Sequence, residues 1–432
     1  MSDLTDISNQ YYAETDIKYR KLHGQYFTPE SLKRVALDFI TIKNGSKILE
    51  NSCGSGEFIK SILERNKNVT IDAYDIDQKL VSLVKKNYPM VNCFCEDYLL
   101  KQHKPMYNYI IGNPPYFQMR MKQLKEKGYD IFSDVCRGKP NIYSMFIKAS
   151  IDSLLPNGEL LFVVPTSMNN GADFKKLRNY IIETCDIENI KICGSKDFDS
   201  ALQNVMILHL RKLKNLETNN GNYIFNKSDI TIFSEDVSAL QKPFDTGKTL
   251  HELGFNVMTG NLVWNQNKNY MSRNKNDTRL IWACNIINNS LVYDIDKLNC
   301  EDPEGLNEQA KYQKGQYVKQ ARDIFQMGDD YFWHNAKLDI NIKPLLGSCI
   351  VVNRVTGAGK NATIRAAMLE TTGQYFIENH LNYIVKTSTA VCELSDIYNA
   401  LIKPETSQFI KNLTGNTQIS KNELLHLIPF NI

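Results

Sequence analysis

The chain has no long apolar run and almost no excess of charge of either sign. None of its hydrophobic stretches reaches the roughly 18 residues that a membrane-spanning helix needs. Residues 1–6 are polar and acidic and lack the basic-then-apolar pattern of a signal peptide. We therefore expect a cytoplasmic protein without a membrane partner. The net charge of +3 does not by itself indicate a polyanionic partner, because nucleic-acid binding depends on where cations cluster.

Cysteine patterns typical of a metal site are also missing. The ten cysteines are scattered along the chain, and the closest pair is Cys93 and Cys95. A zinc site needs two further ligands at matching spacing, so this pair favours a strand with two buried thiols. The sequence therefore predicts no bound metal.

Short apolar runs alternate with helical periodicity through the first half of the chain. Such alternation is typical of a parallel, doubly wound, Rossmann-like α/β sheet. Beyond about residue 211, polar and irregular stretches indicate a linker and a second, mixed α/β domain. We predict domains at 1–245 and 246–432. Strands are predicted at 46–50, 69–74, 92–95, 107–111, 159–164 and 205–210, and helices at 57–66, 78–87 and about 141–155.

A glycine-containing loop, residues 50–56, joins the first predicted strand to the first predicted helix. It begins with Glu50, and Gly54 and Gly56 allow the backbone to approach a ligand and turn sharply into the helix. The third glycine of a dinucleotide-binding motif is absent, so the loop alone also fits a plain tight turn.

Acidic residues follow the next two predicted strands as well. Asp75 lies where doubly wound folds bind ribose hydroxyls, whereas Asp77 better suits the N-cap of the next helix. After the third strand, Asp97 can accept a hydrogen bond from an exocyclic amine and Tyr98 can lie against a base. Acids at the ends of three successive strands, Glu50, Asp75 and Asp97, predict a nucleoside site. The alternative is that all three only cap helices.

The segment Asn113-Pro114-Pro115-Tyr116 follows the fourth strand. Two prolines cannot continue a sheet ladder, and they fix an extended turn. The Asn113 side-chain oxygen and the Pro114 carbonyl can accept both protons of one planar amino group. That geometry reduces the conjugation of the nitrogen and frees its lone pair to attack. Tyr116 offers a flat surface to the ring that carries the amine.

Taken together, these segments resemble the gamma-class, TaqI-like DNA adenine-N6 methyltransferases of restriction-modification systems over almost the whole chain. The resemblance implies S-adenosyl-L-methionine as cofactor, with the glycine loop at its methionine, Asp75 at its ribose and Asp97 at its adenine amine. The Phe27-Thr28-Pro29 segment would touch the cofactor, although Thr28 as N-cap and Pro29 at the first helical position also fit a plain helix start. The implied cofactor residues are Phe27, Thr28, Pro29, Glu50, Ser52, Cys53, Gly54, Gly56, Asp75, Ile76, Asp97, Tyr98 and Asn113.

The resemblance also implies residues that contact DNA. Asn113 to Tyr116 would be catalytic, and Phe198 would stack on the other face of the flipped adenine, although a core phenylalanine is the alternative. Segments 259–268, 352–365 and 378–383 resemble a target-recognition domain. Cations between glycines suit phosphates or base edges, although a solvated loop is the alternative for any one residue. The implied DNA-contacting residues are Trp264, Asn265, Lys268, Arg354, Lys360 and Arg365.

The implied activity is site-specific methylation of adenine N6 in double-stranded DNA, with the target base rotated out of the duplex. Cytosine C5 methylation would need a Pro-Cys nucleophile loop, and the chain has no Pro-Cys dipeptide. The alternatives are an N-methyltransferase of protein glutamine or RNA guanine, the modification subunit of a multi-subunit restriction system, and an inactive DNA-binding protein. We expect a monomer, with any cognate restriction endonuclease on a separate chain.

Overall fold

The computed structural model divides into two compact units. Unit 1 comprises residues 1–240 with 413–416, and unit 2 comprises residues 241–412 with 417–432. Among the described helices, none is long and apolar enough to cross a membrane. The residues that the structure describes are 4–22, 24–193, 204–214, 217–273, 278–293, 317–318, 324–327, 330–333, 342–354, 364–413 and 418–432.

Unit 1 alternates helices and strands after a helical start. Its helices are α1 (Asp6–Glu14), α2 (Ile17–Leu22), α3 (Glu30–Leu37), α4 (Glu57–Arg65), α5 (Gln78–Asn87), α6 (Met121–Glu126), α7 (Tyr143–Ser153), α8 (Lys175–Thr184) and α9 (Val237–Gln241). Its strands are β1 (Ser46–Glu50), β2 (Val69–Asp75), β3 (Asn92–Cys95), β4 (Tyr107–Gly112), β5 (Leu154–Pro165), β6 (Cys185–Cys193), β7 (Val205–Lys212), β8 (Ile224–Lys227) and β9 (Ile230–Phe233). Every strand and helix predicted above is present.

Seven of these strands form one sheet in the order β3-β2-β1-β4-β5-β7-β6. The predicted α/β class is confirmed. The predicted parallel pairing holds from β1 to β5 but not for β7, which runs antiparallel to both β5 and β6. Only residues 194–204 connect β6 to β7, which is fewer than a parallel crossover requires. The sequence reading also missed β6 itself, since charged and polar residues interrupt its apolar pattern.

Both faces of the central strands are buried, which explains their continuous apolar runs. Leu49 and Ile110 pack into the core on one face, and Ile48 and Ile111 pack into the core on the other. β1, β2, β3 and β4 are parallel and end at one edge of the sheet, here called the carboxyl edge. In sheets of this kind ligands bind outside that edge.

Unit 2 is a mixture of small sheets and short helices. A four-stranded sheet has the order β10-β21-β18-β19, and a second has the order β11-β15-β12-β20. The strands are β10 (Phe255–Thr259), β11 (Met271–Ser272), β12 (Thr278–Ile281), β13 (Ile286–Ile287), β14 (Ser290–Leu291), β15 (Tyr317–Val318), β16 (Ile324–Met327), β17 (Asp330–Trp333), β18 (Cys349–Asn353), β19 (Ala366–Leu369), β20 (Tyr375–Ile377) and β21 (Leu381–Lys386). The helices are α10 (Leu394–Leu401), α11 (Pro404–Leu413) and α12 (Lys421–His426).

Two local predictions need correction. Thr28 does not cap a helix: α3 begins at Glu30 with Pro29 as its N-cap, and no side chain caps it. Cys93 is buried as predicted, but Cys95 is exposed, because it ends the edge strand β3.

Candidate functional site

The glycine loop after β1 is held against the end of β2 by backbone hydrogen bonds. The Gly54 N–H donates to Asp75 Oδ2 at 2.8 Å, and the Cys53 N–H donates to the Tyr74 carbonyl at 2.8 Å. Gly54 and Gly56 have φ angles of +52° and +80°, a region that favours glycine, and Gly56 is the N-cap of α4. The loop is therefore a preformed turn that positions Asp75 at the carboxyl edge.

Asp75 accepts hydrogen bonds from two backbone groups, the second being the Asp77 N–H at 2.9 Å. Burial raises the pKa of Asp75 to about 6, although the backbone hydrogen bonds act to lower it. Ile76, next in sequence, is 63% exposed and offers an apolar surface beside this carboxylate. The Asp77 carboxylate instead accepts from the Lys79 N–H at 2.9 Å, which confirms its prediction as the N-cap of α5.

Glu50 is the buried acid of the site. It is 2% exposed, and its Oε2 has no hydrogen-bond partner among the described residues. Burial raises the pKa of Glu50 well above its usual value, and the positive charge of Lys33 acts in the opposite direction. A buried carboxylate oxygen without a partner is costly, and an ammonium group would satisfy it. Glu50 and Asp75 therefore provide acidic groups of the kind that the ammonium group and the ribose hydroxyls of S-adenosylmethionine would need.

Asp97 and Tyr98 lie in different environments beyond β3. Asp97 Oδ1 accepts from the Leu99 N–H at 3.0 Å, and its Oδ2 accepts from the Tyr129 hydroxyl. Tyr98 is 5% exposed, and its hydroxyl is 2.7 Å from the Ser153 hydroxyl. The structure therefore places Tyr98 in the core of unit 1, not on a surface where it could lie against a base, because its ring packs with the apolar side chains beneath the sheet.

Helix α1 and the Phe-Thr-Pro segment lie over the glycine loop. The rings of Tyr12 and Phe27 stack at 4.8 Å, and the Phe27 N–H donates to the Tyr12 hydroxyl at 3.1 Å. The Tyr11 hydroxyl donates to Asp77 Oδ2 at 2.7 Å. A Cβ at Gly54 would lie only 3.1 Å from the Phe27 ring. The sequence reading missed Tyr11 and Tyr12, since an aromatic pair in a short helix carries no motif.

A buried ion pair fixes the other side of α1. Lys33 is fully buried, and its Nζ lies 2.5 Å from Glu57 Oε2. Glu57 Oε1 accepts from the Thr5 hydroxyl at 2.8 Å and also from the Ser8 hydroxyl. These bonds connect α1, α3 and α4 directly behind the glycine loop.

The Phe-Thr-Pro region also orients Asn113. The Asn113 Nδ2 donates to the Tyr26 carbonyl at 2.8 Å, which leaves Oδ1 as the acceptor of the side chain. The Ser52 hydroxyl donates to the Asn113 carbonyl at 3.4 Å, which connects the glycine loop to this turn. The Pro114 carbonyl accepts no hydrogen bond from the described residues. The turn therefore presents two acceptor oxygens from adjacent residues.

Tyr116 occupies one of these acceptors. Its hydroxyl lies within hydrogen-bonding distance of Asn113 Oδ1 and of the Val163 carbonyl, the latter at 2.7 Å. Its ring stacks with Tyr26 at 6.0 Å and meets Tyr143 edge-on at 6.1 Å. Burial raises the pKa of Tyr116 well above its usual value, so the hydroxyl stays protonated as a donor. To stack on a target base, this ring would have to leave its present position.

Three segments that were singled out in the C-terminal half meet at one end of the β10-β21-β18-β19 sheet. Thr259 pairs with Asn382, and the Arg354 N–H donates to the His380 carbonyl at 3.0 Å. A Cβ at Gly260 would lie 2.2 Å from the Glu378 carbonyl, so this close approach requires glycine. These segments are distant in sequence, and the sheet brings them together.

The predicted DNA-contacting residues occupy different positions in unit 2. Arg354 donates through Nη1 to the Asn379 carbonyl at 2.8 Å and is half-buried, whereas Asn265 is exposed. Lys268 Nζ lies 5.3 Å from the centroid of the Trp264 ring. The backbone of Arg365 pairs with Asn353. Phe198 and Lys360 lie outside the described residues.

Part of unit 1 matches a known protein family. Residues 22–198 match the family described as Eco57I restriction-modification methylase. The type II methyltransferase M.AccI of Acinetobacter calcoaceticus is 28% identical over 211 residues, which cover 47% of this chain and 39% of that protein. The type II methyltransferase M.HincII of Haemophilus influenzae is 29% identical over 228 residues, which cover 51% of this chain and 43% of that protein. The matched region therefore spans about two fifths of the length of these relatives.

A solved structure described as a putative class I S-adenosylmethionine-dependent methyltransferase from Listeria monocytogenes is 21% identical, with a TM-score of 0.39, and covers 45% of this chain and 64% of that chain. At that TM-score the likeness carries no functional argument. The family match confirms the resemblance to restriction-modification methylases for residues 22–198. The names of these relatives do not specify which base is methylated.

Proposed function

We propose that this chain is a site-specific DNA methyltransferase that transfers a methyl group from S-adenosyl-L-methionine to N6 of an adenine flipped out of double-stranded DNA. The observation that carries the proposal is the orientation of Asn113, whose Nδ2 is held by the Tyr26 carbonyl. Its Oδ1 and the neighbouring Pro114 carbonyl are then available as two acceptors for the two protons of one amino group.

The chain's own residues supply binding and polarisation. Bound at the carboxyl edge, the cofactor supplies an electrophilic methyl group on a sulfonium centre. Glu50 holds its ammonium group and Asp75 its ribose hydroxyls. Asn113 Oδ1 and the Pro114 carbonyl accept hydrogen bonds from the two N6 protons and draw these protons out of the ring plane, which frees the nitrogen lone pair for in-line attack on the methyl carbon. The nitrogen–carbon bond forms as the carbon–sulfur bond breaks, and the methylated nitrogen then loses one proton to solvent. Catalysis then depends on positioning and hydrogen-bond polarisation, without a covalent intermediate.

Tyr116 connects base entry to the acceptor site. An incoming amino group needs the Asn113 Oδ1 position that the Tyr116 hydroxyl occupies. Release of that hydroxyl frees the ring to stack on the target base, an interaction worth about 1–3 kcal/mol. Phe198 is proposed for the opposite face of the base. Contacts to flanking DNA are proposed for Trp264, Asn265, Lys268, Arg354, Lys360 and Arg365.

Separate incubations with three classes of substrate test this proposal directly. The protein is incubated with labelled S-adenosylmethionine and, in parallel reactions, with unmethylated genomic DNA, total RNA or total protein. Label in DNA, recovered as N6-methyladenine after nucleoside digestion, is the expected result. Label in RNA or protein alone, or label in cytosine, would overturn it. Calorimetry with the cofactor alone separates an inactive DNA-binding protein, which would show no binding, from an enzyme that lacks its substrate.

A further inference from the structure

The segment that follows the catalytic turn, residues 117–139, is named here the basic segment. It contains six Lys and Arg residues and three acidic residues, so its formal charge is 6 − 3 = +3. The whole chain of 432 residues also has a net charge of +3. The stretch beside the catalytic turn, where a polyanion would have to bind, therefore has a local excess of positive charge that the total composition does not reveal.

Both ends of the basic segment are joined to each other next to that turn. The Met119 N–H donates to the Pro140 carbonyl at 2.9 Å, and the Ile142 N–H donates to the Phe117 carbonyl at 3.0 Å. Phe117 directly follows Tyr116. The segment therefore begins and ends beside the catalytic turn. Its two paired ends, here called the neck, are held next to that turn by backbone hydrogen bonds.

The inner side of the basic segment is packed into the core of unit 1. The Tyr129 hydroxyl donates to Asp97, beyond the end of β3, so the segment is also held at the carboxyl edge. This packing makes the segment a supported surface and not a loose loop. Its buried side chains are Met119, Leu124, Tyr129, Phe132, Val135 and Cys136.

The outer side presents cations that acidic neighbours leave largely uncompensated. Arg120, Lys122, Lys125, Lys127, Arg137 and Lys139 are all exposed. Of these, only Lys122 has an ion pair among the described residues, with Glu126 at 3.7 Å. The acid Asp134 lies 3.4 Å from Lys148 instead.

Two of these cations lie close in sequence to the bonds that join the ends of the segment. Gln118 and Asn141 form an isolated antiparallel bridge, and the Met119 N–H donates to the Pro140 carbonyl. Arg120 and Lys139 are the next residues of the segment on the two sides of this neck. Asp173 approaches this neck, since a Cβ at Gly138 would lie 2.1 Å from its Oδ1, yet it forms no ion pair with either cation among the described contacts.

From these observations we infer that the basic segment binds the phosphate backbone of DNA beside the flipped base. This inference rests on the proposed function. Arg120 and Lys139 hold the phosphates nearest the target, and Lys125 and Lys127 hold phosphates farther along the strand. Such contacts position the duplex without reading its sequence. Each phosphate contact contributes about 0.9 to the slope of log affinity against log salt concentration.

Two double variants test the inference, Arg120→Gln with Lys139→Gln and Lys125→Gln with Lys127→Gln. The matched control is Lys85→Gln with Lys86→Gln, two exposed lysines in the last turn of α5 and therefore at the opposite edge of the sheet. The measurement is fluorescence anisotropy with a labelled duplex between about 50 and 200 mM salt, with thermal unfolding and cofactor calorimetry as folding checks.

We expect each basic-segment variant to weaken DNA binding about tenfold at low salt and to reduce the salt slope by one to two units, for any duplex sequence. The control should match the unchanged protein. Equal affinity and salt slope in all four proteins would overturn the inference, as would an equal loss in the control. Because binding is measured without turnover, this failure is distinct from failure of the proposed function, which is the absence of N6-methyladenine from DNA.

Discussion

The cofactor side and the acceptor side of the site are built from different kinds of contact. On the cofactor side, backbone N–H groups of Gly54 and Asp77 fix Asp75, and the glycine loop is a rigid turn. On the acceptor side, Asn113 is held through its side chain, and the Tyr116 hydroxyl occupies its oxygen. In the proposed mechanism the cofactor side is therefore formed before a ligand arrives, whereas the acceptor side must exchange a hydrogen bond when substrate enters.

This difference separates binding from turnover. Changes on the cofactor side should alter cofactor affinity, because those residues are proposed to hold a ligand whose site already exists. Changes on the acceptor side should alter the methyl-transfer step, because its hydrogen bonds to substrate form only after rearrangement.

The largest expected effect is that of Asn113→Ala. Removal of the side-chain acceptor should lower kcat by at least about 100-fold, since one preorganised hydrogen bond at a reacting group has that magnitude. The cofactor dissociation constant should stay within about threefold of the original, because Asp75 and Glu50 are untouched. Single-turnover methylation and calorimetry measure the two quantities, and Asn92→Ala at the start of β3 is the matched control. Methylation retained above a tenth of the original rate would refute the catalytic role of Asn113.

Asp75→Asn should mainly weaken cofactor binding, whereas Asn113→Ala should mainly lower kcat. At pH 7.5 it should weaken cofactor binding by about 10- to 100-fold, the value of a hydrogen bond to a charged group. Because burial raises the pKa of Asp75 to about 6, the unchanged protein should lose cofactor affinity as the pH falls through 6, and the variant should not show this component. Calorimetry from pH 5 to 8 provides the comparison, and Asp229→Asn on the surface is the control. An identical pH profile in the variant would exclude Asp75 as the titrating group.

The raised pKa of Asp75 predicts that the free energy of unfolding depends on pH in the opposite direction to cofactor affinity. The native state binds a proton on Asp75 more tightly than the unfolded chain, whose carboxyl titrates near its usual value of about 3.9. The contribution of this residue to the free energy of unfolding should therefore be larger below that value and decrease as the pH rises through 6. Chemical denaturation of the cofactor-free protein, compared with Asp75→Asn, measures this difference.

The effect of changing Tyr116 should depend on which part of the side chain is removed. Tyr116→Ala removes the ring and should weaken productive DNA binding by about 5- to 150-fold, the value of one stacking contact. Tyr116→Phe keeps the ring and releases Asn113 Oδ1, so kcat/KM should stay within about threefold of the original value. If Phe is as damaging as Ala in steady-state methylation, then the hydroxyl itself takes part and the exchange of hydrogen bonds described above is wrong.

The positions of the residues proposed for the cofactor side follow from the sequence more directly than the orientation of Asn113, for a physical reason. Glu50, Asp75 and the positive-φ glycines stand directly at strand ends, and strand ends are visible as the limits of apolar runs. The bond from Asn113 to the Tyr26 carbonyl joins residues 87 positions apart, and no local pattern encodes such a contact.

Two further errors show what a single sequence does not contain. Tyr98 was assigned to a base-contacting surface because it follows Asp97, but its neighbours in the fold draw it into the core. The direction of β7 depended on β6, whose alternation of charged and apolar residues hid it from a search for continuous apolar runs. In both cases tertiary packing decided the outcome.

The smallest expected effect concerns Tyr11, which extends the cofactor side into α1. Tyr11→Phe removes the hydroxyl that donates to Asp77 Oδ2 at 2.7 Å, two residues from Asp75. Loss of one such bond should destabilise the fold by about 1 kcal/mol and weaken cofactor binding about two- to fivefold, because α1 then covers the glycine loop less firmly. Tyr180→Phe is the matched control, since the Tyr180 hydroxyl donates in the same way to Asp152. Asp152 lies in the last turn of α7, near the opposite edge of the sheet. Equal losses of thermal stability with a change in cofactor affinity only for Tyr11→Phe would place α1 within the cofactor side, and equal affinities in both variants would limit α1 to a role in folding.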